Sequence, residues 1–256
     1  MSDLPHQLTR EVIIRAPRTT VFRYFTDSAR FAAWWGAGSS IDARPGGPVR
    51  IVYPGGVQVT GEVVALQPPE SISFTYGYEA QNRDLVPPGG SLVTITLTDH
   101  PEGTRLALRH DLATAAARDA HIAGWRYQLA LFANVATAEA YGQAGQTVDR
   151  YFALWSEPDE ARRLAELDAI ADAAIVFRDR FGMCLSRADL AAHIGAARQH
   201  MPGLTLAREG AYQQCQGIGV ADWTASAPDG TVVARGRNLF DLGPDGRLTR
   251  IIGVWA

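Results

Sequence analysis

The side chains best able to do chemistry lie where strand alternation sets a polar group on an apolar face. In the segment 174–179, Ile175, Phe177 and Asp179 share one face, so a carboxylate ends a strand pointing the way of two core residues. In the run 232–242, Asn238 shares its face with Ala234, Gly236 and Phe240; in 217–227, Trp223 shares its face with Gly219, Ala221 and Ala225. Small residues beside a Trp or an Asn leave space that a close-packed core would fill, which predicts a ligand cavity. Earlier in the chain, Tyr76 shares a strand face with Ile72, Phe74 and Tyr78, and His110 with Leu106 and Leu108. Each gives a hydrogen-bonding tip on an apolar wall, the make-up of a small-molecule site. The same stripes also read as ordinary core. Asp179 reads equally as an ion-pair partner of Arg178 or Arg180 or as a turn cap, and both readings stay open. Glu62 and His121 are further polar candidates that read as solvated, and His193 as a core-edge residue. No nucleophile and base stand at a recognisable spacing. The six histidines show no HxH or HExxH pattern, so no metal and no other cofactor is expected.

These candidates need a scaffold. The stretch Ala117–Tyr141 is read as one long helix whose inner face carries Ile122, Trp125, Leu129, Phe132 and Ala136, at spacings of three and four. Ahead of it come a strand over 8–16 ended by Pro17, a short helix with Val21, Phe22 and Phe25, and the apolar segment RFAAWWGAG. Strands around 49–53, 57–66 and 72–78 follow, then a hairpin turned by His100-Pro101-Glu102-Gly103. One strand, short helices, a meander of about five strands and a terminal helix predict an α+β domain with a curved sheet gripping that helix.

Gly142–Thr147 is read as a flexible boundary, giving domains of residues 1–142 and 147–256. Beyond it, Val148, Tyr151, Phe152 and Trp155 mark a helix, and 159–170 a second one with Leu164 and Leu167 inward. Ser186-Arg187-Ala188-Asp189 opens a third as a capping box with Asp for the usual Glu. Strands are expected over 204–210, 212–227, 232–242 and 248–255, with tight turns at Asp229-Gly230 and Asp245-Gly246.

With 256 residues the chain is long enough for two cores, and 46% hydrophobic with 20% charged residues is a globular balance. A net charge of −3 without a Lys/Arg block gives no reason to expect nucleic acid or an anionic membrane as partner. The start MSDLPHQLTR has no apolar core of a signal peptide, and Cys184 and Cys215 lack a CxxC context. A cytoplasmic protein with reduced thiols is expected.

The motifs REVIIRAPRTTVF, FAAWWG, DARPGG, VTGEVVALQPPESISFTY, GTRLALRHD and ARDAHIAGW, in that order, resemble the heat-shock-protein-90 ATPase activator homologue-like family of the START-like helix-grip superfamily. The resemblance spans roughly 8–140 and implies an apolar cavity between sheet and helix. In it Trp34 and Trp35 would close one end, with Trp125, Tyr76 and His110 as further ligand contacts. The motifs VDRYFALW, VFRDRFG, SRADLAAHIGAARQHMPGL and TVVARGRNLFDLGPDGRLTRIIGVW, over 147–256, resemble the SnoaL-like branch of the nuclear transport factor 2-like superfamily. That resemblance implies a conical α+β barrel open to a small hydrophobic molecule, and a homodimer formed through its sheet. Asp179 matches the acidic position of that superfamily's RDP motif, although Arg180 stands where Pro is usual. In cyclases and isomerases of this kind a cavity carboxylate removes a proton alpha to a carbonyl and a hydrogen-bond donor steadies the enolate. The resemblance makes Asp179 the base, Asn238 or Tyr212 the donor, and Trp223 and Phe240 the ligand wall. The leading expectation is therefore a protein that binds a hydrophobic or aromatic carbonyl compound, with cofactor-independent cyclase or isomerase chemistry of polyketide-cyclase type. A non-catalytic ligand binder is the alternative. A chaperone-cofactor module is the third, set back because the co-chaperones carry a further N-terminal domain for which this chain has no room.

Overall fold

The computed structural model describes residues 3–256. The chain forms two compact α+β units, the first closing at Thr137 and the second spanning Ala138–Ala256. Among the described residues no helix is long and apolar enough to cross a membrane.

The first unit opens with β1 (His6–Ile14), α1 (Arg18–Arg23) and α2 (Ser28–Trp35). Asp27 caps α2 by accepting from the backbone N–H of Arg30. Then follow β2 (Ser40–Ile41), β3 (Pro48–Val52), β4 (Gln58–Gln67), β5 (Ser71–Tyr78), β6 (Ser91–His100), β7 (Gly103–Leu112) and α3 (Ala115–Ala140). The strands make one antiparallel sheet in the order β1-β7-β6-β5-β4-β3-β2. The meander exceeds the expected one by β2, whose two residues carry no periodicity to read.

Helix α3 presents a different inner face from the expected one. Its buried residues are Ala117, His121, Trp125, Gln128, Leu129, Phe132, Ala133, Ala136 and Thr137, while Ile122 is exposed. The apolar count missed polar side chains that satisfy themselves locally. His121 Nδ1 lies 2.7 Å from the Ala117 carbonyl, and the Thr137 hydroxyl donates to Ala133 O at 2.8 Å. The Gln128 amide donates to Trp34 O. Glu62 is solvated, as expected.

The second unit contains α4 (Ala144–Leu154), α5 (Glu160–Ile170), β8 (Ala171–Arg178), β9 (Met183–Cys184), α6 (Arg187–His200), β10 (Thr205–Cys215), β11 (Ile218–Ser226), β12 (Val232–Leu242) and β13 (Leu248–Trp255). Its sheet runs β10-β11-β12-β13-β8-β9, antiparallel except for the parallel pair β13–β8. Only the turn at 141–143 separates α3 from α4, so most of the stretch expected as a flexible boundary is helix. In α5, Arg163, Leu167 and Ile170 face inward and Leu164 lies outside, against expectation. The Arg163 guanidinium donates to the carbonyls of Glu157 and Pro158 at 2.9 and 3.0 Å, which makes its burial tolerable. Ser186 caps α6 by accepting from Asp189 N–H, while the Asp189 carboxylate accepts from Leu185 N–H. The expected box therefore closes one residue early.

The strand expected over 212–227 is two strands. Gln216 (φ 49°) and Gly217 (φ 83°) are both left-handed and turn β10 into β11, as a two-residue hairpin requires. The expected break at Gly210 (φ 72°) is instead a bulge, and the register shifts between Glu209 and Gln213. The turns at Gly230 and Gly246 fall where expected, each preceded by an Asp that accepts from the backbone two residues on.

Candidate functional site

The second unit encloses a cavity of about 270 Å³. Trp155, Phe177, Trp223 and Trp255 form most of its wall, with Leu204 and Leu206. Polar atoms converge at one corner, where Asp179 from the end of β8, Asn238 from β12 and Tyr151 from α4 meet. Gly253 of β13 lets two of them approach: a Cβ there would stand 3.2 Å from both Asn238 Oδ1 and Asp179 Cβ.

The hydrogen bonds set what each group can offer. Trp223 Nε1–H donates to Asn238 Oδ1 at 2.8 Å. An indole N–H can only donate, so the amide must present its NH₂ away from Trp223. Burial pushes the Tyr151 hydroxyl well above the usual phenol range, and the charges of Asp179 and Cys184 add to this. Tyr151 therefore remains a neutral donor beside Asn238. The Asp179 carboxylate is half-buried, and its Oδ1 accepts from the backbone N–H groups of Phe181 and Gly182, each at 2.8 Å. Its turn-capping reading holds. Among the described residues no ion pair joins it to Arg178 or Arg180; the Arg180 guanidinium lies over the Phe181 ring, 5.0 Å from its centroid. His193 packs against Trp155 and Phe177 over Gly182, and it lines the cavity rather than standing at the core edge.

Asp179, Asn238 and Trp223 thus come together, and two expected partners do not. Tyr212 lies over Gly219, where a Cβ would sit 2.2 Å from its hydroxyl. That hydroxyl is buried outside the cavity wall without a partner among the described residues, and burial pushes its pKa up to about 12. Phe240 is fully buried edge-on against Tyr151 and Phe152 and fills core. The glycines expected to leave ligand space make room for the protein's own rings: a Cβ on Gly236 would meet Trp223 at 2.4 Å. Tyr151, which the spacing marks only as an apolar helix position, stands at this corner where Tyr212 does not. Its hydroxyl on a buried face, which must find a partner, was the available signal.

The first unit holds a second cavity, of about 240 Å³, with Trp35, Tyr76 and Trp125 in its wall as expected. Trp34 and His110 lie behind that wall. Trp34 stacks on Trp35 at 4.2 Å and packs against Phe25, Phe31 and Phe132. Trp125 Nε1–H donates to His110 Nδ1 at 3.0 Å, and His110 Nε2 lies 2.8 Å from Ser91 Oγ. Ser91 spends its proton on the Tyr76 carbonyl at 2.8 Å, so Nε2–H of His110 must donate to it. His110 is thereby neutral in one tautomer; burial, and then the neighbouring His121, lower its pKa to about 3.

His121, a polar candidate read as solvated, is instead buried and lines this cavity, and sequence reasoning missed Tyr53, Asn82, Gln128 and, as a cavity group, Tyr78. The hydroxyls of Tyr53 and Tyr76 lie 2.9 Å apart. The Tyr78 hydroxyl lies 3.2 Å from His121 Nε2, and because His121 Nδ1 faces a carbonyl, Tyr78 must be the donor. His121 stands four residues before Trp125, on the same helix face, which was the signal. Burial lowers its pKa, partly offset by the Ala117 carbonyl.

Residues 15–137, just under half the chain, match the family model "Activator of Hsp90 ATPase homolog 1-like protein", in agreement with the resemblance of the first half. No curated protein sequence matches the chain. Among solved structures, the chain is similar to a SnoaL-like family protein from Agrobacterium tumefaciens, with 26% identity, a TM-score of 0.43, and 46% of this chain and 98% of that one covered. It is also similar to a protein of Mycobacterium smegmatis (26% identity, TM-score 0.43, 52% and 90% covered) and to one of Mesorhizobium loti (22%, 0.42, 50% and 94%).

Proposed function

We propose that the second unit binds a small, uncharged, largely apolar molecule carrying a carbonyl, and moves a proton beside that carbonyl without a cofactor. The observation that carries this reading is a polar corner of a largely aromatic cavity, where a carboxylate and two neutral donors converge. The carbonyl oxygen would take the Asn238 NH₂ group, with Tyr151 beside it. Asp179 Oδ2, which has no hydrogen-bond partner among the described residues, would accept the proton from the adjacent carbon. The electron pair left behind moves onto the carbonyl oxygen, where the donors steady it. The protonated carboxyl then returns its proton to the rearranged carbon skeleton, so the protein ends unchanged.

Asp179→Asn is an unusually clean test because Asn keeps an Oδ1 acceptor for Phe181 and Gly182 and loses only the base. The assay follows α-proton exchange of 2-tetralone in D₂O by NMR, with binding read from the indole N–H signals of Trp223 and Trp255. The expected result is exchange catalysed by the wild type and reduced at least about 100-fold in the variant, with binding changed less than about threefold. Equal exchange in the two proteins removes the base. A specific observation also favours a non-catalytic binder: Oδ1 is already committed to the turn. That reading requires saturable binding with no exchange above background.

A further inference from the structure

We infer that His193 is a specificity residue of the second unit's cavity: it receives a hydroxyl of the ligand, which makes the ligand class a hydroxylated carbonyl compound and not a plain ketone. The inference rests on the reading of that cavity as a carbonyl-binding site.

Helix α6 turns one face to the cavity, on which His193, Ala197, His200 and Met201 follow one another at helical spacing. The two histidines differ in their surroundings. His200 ends the helix and is exposed, so water serves its ring. His193 is half-buried, with the Trp155 ring edge-on at 5.8 Å and the Phe177 ring at 5.3 Å. Among the described residues neither of its nitrogens has a hydrogen-bond partner, and no carboxylate pairs with it. A phenylalanine would fill such an aromatic slot at no polar cost. An imidazole there leaves unused hydrogen-bonding capacity in the cavity wall, which a ligand group can take up.

Gly182 supplies an independent observation. Its backbone lies outside the left-handed region, so no turn demands glycine at this position. Close approach demands it instead: a Cβ there would stand 2.6 Å from His193 Cε1, 2.9 Å from Nδ1 and 3.2 Å from Nε2. The N–H of the same residue donates to Asp179 Oδ1 at 2.8 Å. One glycine thus holds the carboxylate through its amide and admits the imidazole through its missing side chain. Both groups are fixed against one point of the wall, so a ligand with its α-carbon at Asp179 has His193 within reach.

Charge narrows the group that His193 takes. Asp179 lines the cavity and no Lys or Arg does, so a ligand carboxylate would face a like charge with neither to offset it. A ligand ammonium would pair with Asp179 and occupy the base. The group is therefore neutral. A hydroxyl both donates and accepts, so it pairs with either imidazole nitrogen, whichever carries the proton.

The test uses the full chain, 2-tetralone, and the hydroxy-2-tetralones that carry a phenol at each free position of the aromatic ring. Titrations are read from the indole N–H signals of Trp223 and Trp255 and from the imidazole nitrogen signals of His193. At least one hydroxylated isomer is expected to bind about threefold to tenfold tighter than 2-tetralone, the worth of one hydrogen bond. That isomer is also expected to move the His193 nitrogen signals further than 2-tetralone does. His193→Phe is expected to bring the ratio of the two affinities to about one. Gly182→Ala keeps the amide for Asp179 but displaces the imidazole, and is expected to lower the same ratio. Equal affinity of 2-tetralone and every isomer for the wild type overturns the inference without recourse to any variant, and leaves the carbonyl reading standing. A preference that survives His193→Phe does the same. Absence of shifts at Trp223 and Trp255 with every probe overturns the carbonyl reading and the inference with it.

Discussion

His110 shows how much one side chain's surroundings can decide. It lies on the strand face where a cavity contact was expected, but Trp125 and Ser91 occupy both of its nitrogens and hold it neutral one layer behind the wall. Its folded pKa of about 3 lies below the ordinary value of 6.5. In the unfolded chain the ring binds a proton below pH 6.5 that the folded protein refuses until about pH 3. Stability is therefore full above pH 6.5 and falls as the pH drops through the unfolded value, by about 1.4 kcal/mol per pH unit per such histidine. His121, also shifted down, adds in the same direction. Urea unfolding of the wild type between pH 7 and 5 should show this loss, and His110→Gln should show a visibly shallower one. A pH profile unchanged by the substitution would mean that His110 is not held neutral.

At the scale of the element, α3 was legible as a long helix, and its registration was not. Spacings of three and four identify a helical face but leave its centre uncertain by about one residue, or 100°. Here that uncertainty separates Ile122, which is exposed, from His121, which is buried. The inner face includes His121, Gln128 and Thr137 because each has a hydrogen bond on the helix or on the neighbouring Trp34 carbonyl. No apolar count could include them. Gly124 permits a check at this scale. Gly124→Ala should raise thermal stability, by roughly 0.5–1 kcal/mol, because nothing lies within 4 Å of the added methyl. A fall in stability would mean that the glycine is a packing requirement.

Across the whole molecule, two α+β units each build a cavity from rings and a few polar groups. The second unit reaches back to take Tyr141, whose hydroxyl faces the carbonyls of Leu242 and Gly243 at 3.4 and 3.1 Å. Ala144 and Val148 join the same core. A fragment of residues 138–256 should therefore fold cooperatively, and one of residues 147–256 should be less stable by on the order of 3 kcal/mol. Calorimetry of the two fragments measures the difference, and equal melting temperatures would put Tyr141 outside the second core.

The sequence by itself determined the order of the longer elements (though not the two-residue strands β2 and β9), the sharp Asp-Gly turns, the two-part α+β architecture and the place of Asp179 at the end of a cavity-facing strand. These follow from periodicity and turn chemistry, which act over a few residues. Only the tertiary structure decided which polar groups meet. Tyr151 and not Tyr212 stands beside Asn238, since a bulge in β10 and the bare backbone of Gly219 take Tyr212 elsewhere. Trp223 and Tyr212 fill the space over Gly236 and Gly219, and the open volume lies instead among Trp155, Phe177 and Trp255. Alternation says which face a side chain leaves from. Where it ends, and what it touches there, depends on rings arriving from strands and helices tens of residues away.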